Sequence, residues 1–119
     1  IASQATSITS NADAEIGSIG VYAVWYDYSK LYDTAGVRTI VIGSGEHKGA
    51  GVPGSQITDE QIAAVRAVID DMALHFMQTV AGGRGMSLAD VQKLADGRLW
   101  LAPKAKKLGL IDGIMNCGF

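Results

Sequence analysis

Val21-Tyr22-Ala23-Val24-Trp25-Tyr26, then Tyr28 to Ala35 closed by Gly36, then Val37-Arg38-Thr39-Ile40-Val41-Ile42, is the stretch whose reading decides the fold. The two outer hexapeptides are rich in β-branched and aromatic residues, which fit a pleated, buried surface. The segment between them has the length of a short helix, and Gly36 stands where a left-handed C-cap is needed. No two-residue hairpin turn joins the strands. Strand, helix and strand in this order imply an α/β architecture with crossover connections.

Towards the N-terminus, Ile1 to Ala5 read as the tail of a helix, and short β-prone pieces are expected at Ser7 to Ser10 and Ser18 to Val21. Gly17 and Gly20 mark a bend or the close approach of another backbone. A groove lip for a peptide and a tight turn between strands both fit these glycines. Towards the C-terminus, Thr58-Asp59-Glu60-Gln61 is a capping box. Ile62, Val65, Ile69, Met72, Phe76 and Val80 then recur at three and four residues, which lays one apolar stripe along a long helix. Gly82-Gly83 is expected to end it, and Met72, Phe76 and Met77 are assigned to the core. Ser87 with Asp90 starts another helix through Ala95, and Leu99-Trp100-Leu101 is a short strand. Pro103 fits the start of a last small helix that Gly109 closes, and Leu110-Ile111 returns as a strand.

The totals limit the function classes. A chain of 119 residues with 48% hydrophobic and 18% charged residues builds a core and is not a disordered tail. A net charge of −2 with scattered basic residues argues against a nucleic-acid partner. Lys104, Lys106 and Lys107 cluster, but on a short helix whose outer face is solvated. Cys117 is the single cysteine, so no internal disulfide forms, and it reads as a bystander. No apolar run approaches the roughly 18 residues of a membrane span, yet membrane association and localisation stay open. The chain opens on Ile1 without a methionine, so a preceding segment is expected.

The chemistry-bearing candidate is Lys48, in the run Gly43-Ser44-Gly45-Glu46-His47-Lys48-Gly49-Ala50-Gly51-Val52-Pro53 that follows the apolar Ile40-Val41-Ile42. A lysine on a glycine-rich turn just past a buried strand can be desolvated enough to act as a base. The run is not a phosphate loop, because Walker A ends in Gly-Lys-Ser/Thr and a dinucleotide loop needs a third glycine where Lys48 stands. His47 and Lys48 are neighbours on an extended segment and point in opposite directions, so they do not serve one site. His47, His75 and Cys117 are too few and too dispersed for a metal centre. Asp59, Glu60, Asp70 and Asp71 suit a helix N-terminus and its solvated face. From the residues alone, Lys48 remains open between a catalytic base and a surface lysine.

Gly17-Ser18-Ile19-Gly20-Val21, Ser44-Gly45-Glu46-His47-Lys48, Ala95-Asp96-Gly97-Arg98 and Leu108-Gly109-Leu110-Ile111-Asp112 together change that balance. In this order and spacing the chain resembles the peptidase S49 family, which includes signal peptide peptidase A and phage capsid-assembly proteases. The resemblance implies a ClpP/crotonase-like α/β spiral of strand-strand-helix units, with residues 1–119 as the C-terminal portion of a single domain. It also implies a serine endopeptidase with a Ser-Lys dyad, no cofactor and no metal, acting on peptide or protein substrates in a homo-oligomeric ring. By the resemblance, Lys48 matches the general base and Ser18 matches a serine whose hydroxyl holds the lysine amine. The nucleophile, in a motif of the Ala-Ser-Gly-Gly type, is expected roughly five residues before Ile1, a spacing with the usual boundary error. The glycines of the oxyanion hole are expected further upstream. Lys48-Gly49-Ala50-Gly51-Val52-Pro53 resembles the phage-type members more than the membrane-bound peptidases. Two other functions compete: an inactive assembly or scaffold homologue, and a crotonase-like acyl-CoA enzyme, whose chemistry does not require Lys48 and Ser18.

Overall fold

The computed structural model describes residues 1–115, so the expectation about Cys117 lies outside the described residues. The chain divides into two compact units, Ile1–Val21 with Asp71–Phe119, and Tyr22–Asp70. Helices and strands are mixed, as an α/β fold requires.

The first unit opens with a 3-10 turn, Ala2–Gln4, where the sequence suggests a helix tail. Strand β1 (Thr9–Ser10) pairs in parallel with β4 (Gly113–Ile114), and β2 (Glu15–Gly17) pairs antiparallel with β3 (Leu99–Leu101). Two expectations therefore shift: the second strand falls at residues 15–17 rather than 18–21, and the last at 113–114 rather than at Leu110-Ile111. The reason is shared. Ile19, Leu110 and Ile111 are buried core residues, so their apolar character serves packing, while the ladder forms beside them. Helix α4 (Ala102–Lys107) joins β3 to β4 and buries Ala102 and Ala105 completely, small side chains that let it lie close on the strands. Helix α3 (Leu88–Leu94) buries Val91, and Ser87 caps it as anticipated, its Oγ accepting from Asp90 N–H at 3.1 Å.

Helix α2 (Asp59–Arg84) contains the boundary between the units. Its capping box is formed: Thr58 N–H donates to Gln61 Oε1 and Gln61 N–H to Thr58 Oγ1, both at 3.2 Å. It does not stop at Gly82-Gly83. It runs to Arg84 and closes at Gly85, where Met86 N–H reaches back to Ala81 O at 3.0 Å in a Schellman turn. Gly83 serves packing instead, because a Cβ there would collide with the Ser3 carbonyl. The apolar stripe is also only partly covered: Val80 is buried and Met77 packs on the core, but Ile62, Met72 and Phe76 are exposed.

In the second unit, α1 (Ser29–Thr34) is closed at Gly36 as expected, with Val37 N–H donating to Tyr32 O at 2.9 Å. Asp27 anchors its start, accepting from Ser29 N–H at 2.9 Å and from Ile57 N–H at 3.3 Å. The Ser29 side chain first, then the Ser29 and Ile57 amides, hold the Asp27 carboxyl below the usual carboxylate range. The two hexapeptides flanking α1 are not strands here, which corrects the expectation. A strand is defined by its ladder, and neither stretch pairs in a ladder among the described residues.

The C-terminal part of the first unit is tied together by Arg84, whose side chain is only 9% exposed. It donates to Asp112 Oδ1 at 2.6 Å, to Asp112 Oδ2 at 3.1 Å and to the Gly109 carbonyl at 2.9 Å, while Ile8 N–H donates to Asp112 Oδ2 at 2.7 Å. The Arg84 bonds and then the Ile8 amide pull the Asp112 carboxyl down to about 2. Because the folded state lowers this pKa below its ordinary 3.8, the pair stabilises fully above about pH 4 and loses its contribution as pH falls towards 2. Thermal melts between pH 5 and 2 are expected to show that loss, and Asp112→Asn to be less stable at pH 5 while showing a flatter acid dependence.

Candidate functional site

Ser18 is placed by the first unit. Pairing of β2 with β3 sets Gly17 opposite Leu99, and one step further Ser18 N–H donates to Arg98 O at 2.9 Å. Gly17 admits no side chain, since a Cβ would lie 2.6 Å from Arg98 O and 2.9 Å from the Trp100 ring. The close backbone approach expected from this glycine is therefore present, in an antiparallel pair. Beyond it Ser18 adopts φ 52°, the one positive φ of a residue other than glycine among the described residues. A side chain in this region costs about 1–2 kcal/mol, so the structure around Ser18 overrides a local preference. Its side chain faces solvent.

The opposing corner is Asp96-Gly97-Arg98. Asp96 Oδ1 accepts from Arg98 N–H at 3.1 Å, and Asp96 Oδ2 accepts from Arg98 Nε at 2.7 Å within an Asp96–Arg98 ion pair. The Arg98 side chain thereby holds the Asp96 carboxyl below its ordinary range. Two of the motifs singled out in the sequence, at 17–21 and 95–98, thus meet in space, and the second braces the first. The roles of Asp96 and Arg98 in that brace were not read from the sequence. An Asp-Gly-Arg tripeptide is a turn signal, but nothing in it identifies Ser18 as its partner.

Lys48 belongs to the second unit, on a chain of tight turns. Lys48 N–H donates to Gly45 O at 3.0 Å, Ala50 N–H to His47 O at 3.2 Å and Val52 N–H to Gly49 O at 3.2 Å. Gly51, at φ 80°, leaves room for Trp25: a Cβ there would lie 2.9 Å from the indole Nε1. Gly43 lies beneath Lys48, whose carbonyl oxygen is 3.0 Å from where a Gly43 Cβ would stand. The loop borders an open hollow of about 530 Å³ lined by Lys48, Glu46, Ser44 and Gln61, among others, and His47 is not part of that lining. Lys48 is exposed, and its side chain makes no hydrogen bond or ion pair with any described residue. The second unit alone does not supply the burial that a base role calls for. Among the described residues no group of histidine, cysteine and carboxylate side chains gathers to hold a metal ion, and no helix is long and apolar enough to cross a membrane.

The sequence profile of peptidase family S49 matches residues 1–117. The chain belongs to peptidase family S49. Among similar proteins, one from Synechocystis, provisionally named a protease, is 34% identical over 105 residues, covering 88% of this chain and 38% of the relative. A protein of Enterococcus faecium provisionally named signal peptide peptidase SppA is 30% identical over 114 residues, 96% of this chain and 33% of the relative. Capsid assembly protease C of phage lambda is 28% identical over 116 residues, 98% of this chain and 26% of the relative. The chain therefore spans between about a quarter and two-fifths of the length of these relatives.

The backbone at Ser18 yields a direct expectation. Ser18→Gly relieves the positive φ and raises the unfolding free energy by up to about 1 kcal/mol, whereas Ser18→Ala keeps the strain and does not. Chemical denaturation of the two variants at neutral pH checks this.

Proposed function

We propose that this chain is the lysine-bearing part of a serine endopeptidase, the C-terminal portion, residues 1–119, of an S49 domain with the ClpP/crotonase-like spiral. Lys48 acts as general base, Ser18 presents its hydroxyl to the lysine amine, and the nucleophilic serine and oxyanion hole lie before residue 1. The observation that carries this reading is Ser18 itself: a hydroxyl residue sits in a backbone conformation that glycine would occupy without cost, braced by Asp96 and Arg98. Strain retained at an exposed polar side chain favours a functional role over a structural one. Family membership over residues 1–117 supports the peptidase class.

In this mechanism the neutral Lys48 amine removes the proton of the serine hydroxyl as its oxygen attacks the peptide carbonyl. The amine then returns that proton to the leaving nitrogen, and backbone N–H groups stabilise the oxyanion. The substrate is a peptide or protein, and the working assembly is a homo-oligomeric ring. The turn Lys48-Gly49-Ala50-Gly51-Val52-Pro53 favours a phage-type role in capsid maturation. Identities of 30% and 28% to the SppA-named and lambda relatives do not choose between the two branches. The exposure of Lys48 favours a second reading, an assembly or scaffold homologue that keeps the fold without catalysis.

The test is peptide hydrolysis by a longer form that carries the preceding part of the domain. Lys48→Ala is expected to lower kcat/KM at least about a thousandfold with the fold retained, and Lys48→Arg not to restore it. Ser18→Ala is expected to lower it about ten- to a hundredfold. Hydrolysis unchanged by Lys48→Ala would remove the dyad, and a folded longer form without hydrolysis would establish the scaffold reading.

A further inference from the structure

The loop that carries Lys48 has no helix or strand to hold its middle. Its backbone bonds are local: Lys48 N–H reaches Gly45 O at 3.0 Å, Ala50 N–H reaches His47 O at 3.2 Å and Val52 N–H reaches Gly49 O at 3.2 Å. Turns of this kind set the curvature of a segment but not its place on the body beneath. Placement falls to side chains that lie against the glycines. Gly49, at φ 89°, lies on Val41, whose Cγ1 would be 2.6 Å from a Cβ there. The exit is tied at Gly54, where Tyr32 and Thr39 leave no space for a Cβ, and by Thr39 Oγ1, which donates to Pro53 O at 3.0 Å. Between these two points Gly51 lies on the indole of Trp25, and a Cβ there would be 2.9 Å from Nε1 and 3.0 Å from Cε2.

The Trp25 contact differs from that of Val41. Val41 belongs to the run that leads into the loop and moves with it, whereas Trp25 comes from a separate stretch earlier in the second unit. A tryptophan ring turns on two torsions and so holds such a contact at little entropic cost. Its indole N–H makes no hydrogen bond with a described residue, so the ring acts by shape and not through a polar bond. Two demands therefore fall on one position shortly after Lys48: Gly51 adopts φ 80°, which a side chain disfavours, and it has a ring pressed against it. We infer that Trp25 is a positioning residue for Lys48, its indole seated on Gly51 and fixing where the loop holds the lysine.

The inference rests on the reading of Lys48 as general base. A catalytic group displaced by about 1 Å costs on the order of a hundredfold in rate. Loss of the seat therefore lowers turnover and leaves substrate affinity in place, whereas loss of a side chain that binds substrate raises KM.

The test measures peptide hydrolysis and amide hydrogen exchange in the longer form that carries the preceding part of the domain. Trp25→Ala is expected to lower kcat about ten- to a hundredfold with KM within about twofold. Exchange at the Lys48, Ala50 and Val52 amides is expected to quicken about tenfold or more, while the Asp112 amide, bonded to Ile8 O in the first unit, keeps its rate. Trp25→Phe keeps a ring on Gly51 and is expected to recover kcat to within about threefold. Gly51→Ala collides with the ring and is expected to lower kcat as Trp25→Ala does, and the double variant to be no worse than the poorer single one, because both break the same seat. Unchanged kcat in Trp25→Ala, in a form where Lys48→Ala abolishes hydrolysis, overturns the inference and leaves the base reading intact. Hydrolysis unaffected by Lys48→Ala removes that reading and the inference with it. A rise in KM alone, a Trp25→Phe variant as poor as Trp25→Ala, or losses that multiply in the double variant overturn the seat. Should Trp25→Ala not fold, full kcat in a folded Gly51→Ala variant overturns it as well.

Discussion

The first unit depends on one half-buried cation. The Arg84 side chain is largely covered at the C-terminus of α2, and a guanidinium cannot shed its charge, so it needs partners there. Asp112 meets it with both oxygens and also accepts the Ile8 amide, and Gly109 adds its carbonyl. One side chain therefore fixes the end of α2, the end of α4 and the start of β1 in mutual register. The two-residue ladder between β1 and β4 is too short to hold a register alone. Asp112 N–H adds a bond to Ile8 O at 2.8 Å, so the ladder is in effect continued by the carboxylate and its own backbone. The core of Ile19, Val80, Val91, Ala102, Ala105, Leu110 and Ile111 closes around this frame.

The second unit shows the opposite condition. Its helix starts and loop turns are satisfied locally, by Thr58 with Gln61, by Asp27 with Ser29, and by the successive turns around Lys48. Its strand sequences are not satisfied. Local hydrogen bonds close within a few residues and need nothing else, but a strand needs a neighbour, and burial needs a second layer. The exposed Ile62, Met72 and Phe76 on α2 follow the same rule: periodicity sets which face is apolar, and the rest of the fold decides whether that face is covered.

This division explains what was legible in the sequence. Ser87 with Asp90, the Thr58 box, Gly36 and Gly109 were all readable because capping chemistry is written within four residues. The helix end at Gly85 was missed because Gly82 and Gly83 look like stronger terminators, and only the Ser3 carbonyl explains why Gly83 is glycine. The strand positions moved because ladders join residues about a hundred apart, as Thr9 and Gly113 do, and no local pattern specifies that partner. Family membership was readable from motif order. The brace on Ser18 was not, since Arg98 reaches it only through the register of β2 against β3.

The two candidate residues stand in different physical states, and the difference bears on how such a site is made. Ser18 is positioned already: its amide is tied to Arg98 O, the Asp96–Arg98 pair stiffens the corner, and its backbone stays in a region that serine disfavours. Nothing further has to be ordered for its hydroxyl to point outward. Lys48 has its backbone fixed by the Gly45 turn and by contact over Gly43, but its amine lies in solvent. A lysine becomes a base through loss of water around its amine, which is a property of the cover and not of the loop.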